Sequence, residues 1–307
     1  MPGRRRSGEL RTHIRQASAL VQHAPEFWER YQRQRCRLVM PAPGRPVWQN
    51  WSDQGLHAAW IGHSTVLLKI DGTTILTDPV FSERCGVRIG FVTIGLKRLV
   101  EPALQIPRLP RIDVVLLSHA HMDHFDRPSL RALESRGTVV VTARGTSDLL
   151  RVRRYGRVYE AGWDDEVRVG PVTFRGLRVN HWGARLRTDT WRGYNGYLIE
   201  SGRTRVLFAG DTADTREFRS VRTSRPIDLA LMPIGAYDPW IHAHCTPEQA
   251  MRMSNEAGAE HLLPIHHQTF HLSREPYHEP IQRFLEAAGS HTDRVLTRRI
   301  GDQASLQ

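Results

Sequence analysis

The nine residues Ser118-His119-Ala120-His121-Met122-Asp123-His124-Phe125-Asp126 carry the strongest signal in the chain. They follow directly after Val114–Leu117, a continuous apolar run typical of a strand that is buried on both faces. In a rigid turn, the side chains of His119 and His121 can face one point while those of Asp123 and His124 face a neighbouring one. Imidazole and carboxylate groups together suit Zn²⁺, Mn²⁺ or Fe²⁺. The pattern therefore predicts a metal site rather than a cluster of solvated histidines.

The remaining ligands of a two-metal site have to come from other parts of the chain. Three candidates follow predicted strands: His181 after Val172–Asn180, Asp211 after Arg205–Phe208, and His266 after His261–Ile265. Each is a weak signal alone, but strand ends can meet along one rim of a sheet. Together with the first cluster, these residues complete two coordination sets.

Short strands and helices alternate from His57 onward, which predicts a single layered domain. The turn Asp71-Gly72 indicates a hairpin, and Thr246 with Gln249 forms a capping box at the start of a helix. The pattern strand, glycine turn, strand, aspartate occurs at Val66–Asp78 and again at Tyr197–Asp211, which reflects either two similar sheets or chance. The other predicted strands are Ala58–Ile61, Thr65–Ile70, Thr73–Thr77, Val139–Thr142, Gly196–Ile199, Asp228–Met232 and Arg294–Arg299, and the other predicted helices are Pro128–Ser135, Thr146–Arg153 and Ile281–Ala288.

Two parts are predicted along the chain: an N-terminal helical extension at residues 1–50 and the main domain at residues 51–307. Loose helical patterning runs from Leu10 to Leu38 and ends in a turn-rich segment at Pro41–Gly44. Within the main domain, Phe81–Leu99 is apolar but interrupted by glycines. It is interpreted either as a lipid groove or as a buried structural loop.

The composition of the 307 residues is that of a globular protein, with 40% hydrophobic and 24% charged residues. No apolar run approaches the roughly 18 residues of a spanning helix, and no signal peptide is recognised at the N-terminus. Three cysteines without a CxxC pair favour a reducing cytoplasm. The net charge of +11 comes almost entirely from arginine, which indicates codon bias or, alternatively, a field that attracts anions.

The motif His119-Ala120-His121-Met122-Asp123-His124 resembles the HxHxDH signature of the metallo-β-lactamase superfamily. Further motifs match in the expected order: Leu76–Pro79, His181, Ala209–Thr212 and Pro264–His266. Trp60–Thr65, Pro233–Tyr237 and His244–Ala250 narrow the resemblance to the branch of N-acylphosphatidylethanolamine-hydrolysing phospholipase D and ascorbate-6-phosphate lactonase. The resemblance covers about residues 57–300. It implies an α+β fold, a four-layer αββα sandwich of two mixed β-sheets.

The resemblance also implies a ligand set for two Zn²⁺ ions, with Mn²⁺ or Fe²⁺ as alternatives. His119, His121 and His181 would hold one metal, and Asp123, His124 and His266 the other. Asp211 would bridge the two metals and hold the attacking hydroxide, while Asp78 would orient a ligand histidine. Because this chain departs from the family around residue 267, His267 competes with His266 as ligand, and His266 is preferred.

Three further residues are candidates for contact with substrate. The branch places a histidine at the position of His244, which would bind phosphate or protonate a leaving group; the alternative is a solvated loop residue. His63 would line the pocket or make a supporting hydrogen bond. Tyr237 would wall the pocket, or else pack in the core.

The resulting hypothesis is a binuclear zinc hydrolase in which a metal-bridging hydroxide cleaves a phosphodiester of an anionic small molecule or a phospholipid. A lactonase or ester hydrolase of a small phosphorylated substrate is the first alternative, and a nuclease is the second. Nucleic acid is the less favoured partner because no separable basic arm is present. We expect a cytoplasmic protein, with peripheral membrane contact and homo-oligomer formation left open.

Overall fold

The computed structural model describes residues 37–89, 92–186 and 188–306. Most of the helical extension predicted for residues 1–50 therefore lies outside the described residues, as does Cys36. From residue 37 to residue 50 the chain is irregular apart from one 3-10 turn at Trp48–Asn50.

The described residues form two β-sheets, one separate hairpin and three α-helices. The first sheet contains β1 (Leu56–Gly62), β2 (Thr65–Ile70), β3 (Thr73–Thr77), β6 (Val114–Leu117), β7 (Val139–Ala143), β8 (Arg157–Ala161) and β15 (Gln303–Leu306), in the order β15-β1-β2-β3-β6-β7-β8. The second contains β9 (Glu166–Val169), β10 (Val172–Leu177), β11 (Gly196–Ser201), β12 (Thr204–Phe208), β13 (Ile227–Pro233) and β14 (Ala259–Ile265), in the order β14-β13-β12-β11-β10-β9. The hairpin pairs β4 (Arg84–Ile89) with β5 (Val92–Lys97), and the helices are α1 (Arg127–Ala132), α2 (Pro247–Ala257) and α3 (Glu279–Ala288).

The two sheets pack face to face and each carries helical structure on its outer side. Trp60 and Leu68 of the first sheet meet Phe174 and Leu231 of the second in a shared core. A second core lies between the second sheet and helices α2 and α3, and a third lies between the first sheet and α1. Both sheets contain parallel and antiparallel pairs. The predicted four-layer α+β sandwich is thereby confirmed.

Local sequence explains several of these elements. β6 is buried along its whole length between the parallel strands β3 and β7, as its unbroken apolar run predicts. At the β2–β3 turn, Asp71 (φ 46°) and Gly72 (φ 82°) both adopt the left-handed conformation that a two-residue hairpin requires. The repeated strand–turn–strand pattern gives β2–β3 in one sheet and β11–β12 in the other, each followed by an aspartate.

Two predicted elements were wrong. The helix expected at Thr146–Arg153 is replaced by two 3-10 turns, Ser147–Leu149 and Val152–Arg154, because the backbone is extended at Leu150 (φ −94°, ψ 160°) between them. The strand expected at Arg294–Arg299 is reduced to a single bridge between Val295 and Leu262, and beyond it Asp302 accepts hydrogen bonds from the backbone N–H groups of Arg298 and Arg299 and turns the chain. The last strand is β15, which pairs with β1.

The segment Phe81–Leu99 contains the hairpin β4–β5. Gly86 and Gly95 face each other across it, and a Cβ on either would lie about 2 Å from a backbone oxygen of the opposite strand. The side chains of Cys85 and Leu96 pack with Val80 and Phe270. None of the helices in the described part of the chain combines the length and the apolar character that crossing a bilayer requires.

Candidate metal centre

The predicted ligand residues all follow strands and converge on one rim of the sandwich. The loop 118–126 leaves β6, Asp78 follows β3, and Asp211 follows β12. His266 follows β14, and His181 lies four residues beyond the end of β10. The structure brings these side chains together in a buried cluster.

The imidazoles of His119, His121 and His181 form a first set. The Nδ1 atom of His121 lies 2.8 Å from Nε2 of His119 and 3.2 Å from Nε2 of His181. Ligand atoms around a tetrahedral zinc lie roughly 3.3 Å apart, given metal–nitrogen distances of about 2.0–2.1 Å. The three nitrogens therefore have the spacing that one metal ion requires.

Asp123, His124 and His266 form a second set. The Oδ2 atom of Asp123 lies 3.6 Å from Nε2 of His124 and 3.5 Å from Nε2 of His266. These distances again match the separation of atoms that share one ion.

One oxygen atom joins the two sets. Oδ2 of Asp211 lies 3.0 Å from Nε2 of His124 and 3.1 Å from Nε2 of His266 in the second set. The same atom lies 3.9 Å from Nε2 of His119 and 3.8 Å from Nε2 of His181 in the first set. Asp211 therefore stands between the two positions.

Hydrogen bonds fix which ring nitrogen of three histidines faces the cluster. Nδ1 of His181 lies 2.8 Å from the carbonyl oxygen of Ala243, which can only accept, so Nδ1 carries the hydrogen. Nδ1 of His124 donates to Oδ2 of Asp78 over 2.7 Å. In each ring Nε2 is left facing the cluster, where its lone pair can bind a metal once the atom carries no proton.

His119 is oriented through Ser118. The Oγ atom of Ser118 donates to Oδ2 of Asp78 over 2.5 Å, so it accepts from Nδ1 of His119 at 2.8 Å. Asp78 also accepts from the backbone N–H of Ser118. No sequence signal singles out Ser118, although it is the residue that precedes the motif.

The carboxylates of the cluster require positive charge close to them. Burial lowers the pKa of His121 to about 3 and that of His181 to about 4. For His266 the effect of burial is outweighed by Asp211 and Asp123, which raise its pKa to about 9. Burial opposes the ionisation of Asp211, but His124 and His266 hold its pKa well below its usual value. Protons on the neighbouring imidazoles thus balance the charge of the two carboxylates in the metal-free cluster. Bound metal ions would supply this positive charge instead.

The neighbouring histidines 266 and 267 have different surroundings. His266 reaches both Asp123 and Asp211 through Nε2. The ring of His267 instead stacks on Trp60 with 4.4 Å between centroids. The structure therefore brings His266, and not His267, into the second set.

The three predicted substrate contacts lie in different places. Nδ1 of His244 is 3.9 Å from Oδ2 of Asp211, at the edge of the cluster. Nε2 of His63 is 3.0 Å from Oδ2 of Asp123. Tyr237 is turned to α3, where its hydroxyl donates to Glu279 over 2.7 Å and its ring packs against Arg283, so these contacts join it to α3 and not to the cluster.

One residue outside every motif also supports the site. Nη1 of Arg185 donates to the carbonyl oxygens of Ala120 and Phe125, over 2.9 and 2.8 Å. It thereby holds both ends of the ligand loop. No sequence signal separates Arg185 from the many other arginines of this chain.

The sequence of this chain is similar to those of known proteins. Residues 73–267 match the family model described as the beta-lactamase superfamily domain. An uncharacterised protein of Mycobacterium tuberculosis is 34% identical over 244 residues, which are 76% of this chain and 64% of that protein. The chain thus spans less than two thirds of that relative's length.

Two further matches are an enzyme that is similar in sequence and a solved structure that is similar in fold. The N-acyl-phosphatidylethanolamine-hydrolyzing phospholipase D 1 of Caenorhabditis elegans is 29% identical over 261 residues, covering 79% of this chain and 72% of that enzyme. A metallo-β-lactamase fold protein from Bacillus subtilis superposes with a TM-score of 0.58 at 19% identity, covering 82% of this chain and 100% of that chain. The second match concerns the fold alone.

Proposed function

The chain belongs to the metallo-β-lactamase superfamily, and we propose that it is a binuclear zinc-dependent hydrolase of a phosphodiester. The observation that carries the proposal is the position of Asp211 Oδ2, which lies 3.0–3.9 Å from ring nitrogens of both sets. A carboxylate oxygen between two groups of ligands is the arrangement expected of a residue that bridges two metal ions.

The donor atoms suit zinc. Five imidazole nitrogens and two carboxylates match the ligands of Zn²⁺, with Mn²⁺ and Fe²⁺ as the other metals of this chemistry. When bound, a metal pair would supply Lewis acidity and lower the pKa of water toward 7. The Nε2 atoms of His124 and His266 and Oδ1 of Asp211 are buried and make no hydrogen bond of good geometry, and such ions would satisfy them.

The residues of the chain have separate tasks in this proposal. Asp211 would hold the attacking water and accept its proton, because its Oδ2 atom lies between the two ligand sets. Burial lowers the pKa of His244 well below its usual value. We therefore assign to His244 a hydrogen bond from its neutral ring to a substrate oxygen rather than the role of proton donor. Asp78 serves by holding His124.

The substrate class rests on the relatives and on charge. The nematode relative is named for hydrolysis of N-acyl-phosphatidylethanolamine. The net charge of +11 favours an anionic substrate. We propose a phospholipid phosphodiester, with a small phosphorylated lactone or ester as the outcome that the test has to separate.

The hairpin β4–β5 is the proposed contact for acyl chains. Its residue Cys85 packs with Phe270, whose ring meets the ring of His63 edge-on at 5.2 Å, so the hairpin adjoins the metal cluster. Val87 and Ile94, which pair across the two strands, are exposed on it. Replacing both by Asp should weaken binding to phospholipid vesicles while leaving the hydrolysis of a soluble phosphodiester substrate unchanged.

The function is tested by measuring metal content and product together. Protein loaded with Zn²⁺ should contain two equivalents by elemental analysis. With vesicles of N-acylphosphatidylethanolamine, water should add to phosphorus and the P–O bond to the head group should break, releasing phosphatidic acid and N-acylethanolamine. Asp211→Asn should release neither product, while Asp113→Asn, a change outside the cluster, should remain active.

Two results would decide against the proposal. Protein that holds two metals but releases no phosphatidic acid would exclude the phospholipase activity and transfer the assignment to a phosphorylated lactone or ester. Protein that holds no metal under these conditions would overturn the binuclear hydrolase itself.

A further inference from the structure

His63 occupies a position that is fixed by the fold. It stands between β1 and β2 in the left-handed conformation (φ 54°), and only 1% of its surface is exposed. Its backbone N–H donates to Oγ1 of Thr269 over 2.6 Å. Its carbonyl oxygen accepts from Nε1 of Trp60 and from the backbone N–H of His266, at 2.8 and 3.1 Å. Hydrogen bonds to both its N–H and its carbonyl oxygen therefore fix the backbone of residue 63.

The ring of His63 is committed to one partner. Its Nε2 atom lies 3.0 Å from Oδ2 of Asp123. A carboxylate oxygen can only accept, so Nε2 carries the hydrogen and donates it. The ring also packs at 4.2 Å from the ring of His266 and at 5.2 Å from that of His124. His63 thus contacts every member of the second set.

We propose that His63 is a positioning residue for the second set: by donating to Oδ2 of Asp123 it holds that carboxylate facing the nitrogens of His124 and His266. This inference rests on the proposed metal-dependent function. Of the two roles predicted from the sequence, it assigns His63 the supporting hydrogen bond and not the lining of the pocket, because its Nε2 atom is occupied and its ring is buried. Removing such outer hydrogen bonds typically lowers metal affinity by roughly 10–100-fold.

Two substitutions separate hydrogen bonding from packing. His63→Leu removes the donor and keeps an apolar side chain of moderate size. His63→Gln places an amide N–H close to the position of Nε2. Both variants change the same residue, whose backbone is left-handed, so any strain from the substitution is common to the two. His57→Leu is the matched control, because His57 is buried on β1 and bonded to Ser52 and Ser305, away from the cluster.

The measurement is a Zn²⁺ titration of the metal-free full-length protein against a chelator, which resolves the first and second equivalents. The coordination of bound Co²⁺ is followed by visible absorption, and the melting temperature is recorded for each variant. We expect His63→Leu to weaken the second equivalent about 10–100-fold and to leave the first unchanged. His63→Gln should recover most of that loss with the Co²⁺ spectrum of the parent protein. His57→Leu should bind both equivalents as the parent does.

Two outcomes would overturn the role of His63. If His63→Leu binds the second equivalent as tightly as the parent, the hydrogen bond does not position Asp123. If Leu and Gln weaken it equally, the ring itself is required, as a ligand or as packing, and the donor role is wrong. Failure of the parent protein to bind a second equivalent would instead count against the binuclear site, which distinguishes the two failures.

Discussion

Asp78 accepts a hydrogen bond from Nδ1 of His124 over 2.7 Å, and through Ser118 it also fixes the ring of His119. One buried carboxylate therefore orients a histidine in each of the two ligand sets. Asp78 is itself held at the end of β3, where its backbone N–H donates to the carbonyl oxygen of Leu116 in β6. The pairing of these two parallel strands thus sets the direction of two metal-facing nitrogens.

Replacing Asp78 by alanine should weaken both metal equivalents. His124 and Ser118 would keep their hydrogens but lose the acceptor, so two rings could rotate away from the cluster. We expect a loss of roughly 10–100-fold in affinity. Leaving the donors buried and unpaired should also lower the free energy of unfolding by about 1–3 kcal/mol each. Metal titration and chemical denaturation would measure the two effects.

Asp113→Ala provides the comparison for this variant. Asp113 also caps a strand of the first sheet, accepting from the backbone N–H of Thr74, but it lies outside the metal cluster. It should reduce stability without changing metal affinity. Unchanged metal affinity in Asp78→Ala would show that Asp78 does not orient the ligands.

Much of the cluster could be predicted from the sequence because each member follows a strand. β6 is recognisable from four apolar residues, and the loop after it carries four candidate ligands in a span of six residues. Asp211 and His266 follow strands whose last residues are apolar, Val206–Phe208 and Leu262–Ile265. Strands that lie side by side bring their ends to a common rim, so the pattern along the chain translates into proximity in space.

What could not be predicted depends on contacts between distant segments. The hydroxyl of Tyr237 is taken by Glu279, which α3 brings into reach from 42 residues later in the chain. The expected helix at Thr146–Arg153 is broken by the extended backbone at Leu150, and its first turn is bound by Glu160, a residue of a strand that was not predicted. Glu279 and Glu160 both lie outside the short stretches of sequence on which these predictions were based. Those stretches alone therefore indicated the wrong structure.

The choice between His266 and His267 can be tested directly with alanine. His266→Ala should abolish the second metal equivalent, because the nitrogen 3.1 Å from Asp211 is removed. His267→Ala should keep both equivalents and lose only the stack on Trp60, which is worth about 0.5–1.5 kcal/mol beyond the buried area. Elemental analysis and thermal unfolding of the two variants would show this division. Loss of a metal from His267→Ala alone would reverse the assignment.

Arg185 should stabilise the ligand loop. Its guanidinium donates to the backbone at residues 120 and 125, and hydrogen bonds from charged groups contribute roughly 1.5–3 kcal/mol. Arg185→Met should lower the free energy of unfolding by about that amount and speed the release of metal to a chelator. Arg178→Met, which removes an arginine stacked on Trp163, is the control for loss of charge. Equal metal release rates in the two variants would show that Arg185 does not support the site.

Metal affinity should rise with pH across the neutral range. Although burial favours the neutral ring, Asp211 and Asp123 raise the pKa of His266 to about 9, so in the metal-free protein this ring is protonated below that pH. The pKa of His124 is also raised well above its usual value by the same two carboxylates. A metal ion can bind only after Nε2 of these rings has lost its proton, so binding releases protons. Each proton displaced should lower the apparent affinity about tenfold for every unit of pH below the pKa. Calorimetry of Zn²⁺ binding in two buffers of different ionisation enthalpy would count the released protons.

His266→Ala should release fewer protons on binding Zn²⁺ than the parent protein. An affinity that stays constant between about pH 6 and about pH 9 would contradict the protonation of His266 in the metal-free cluster.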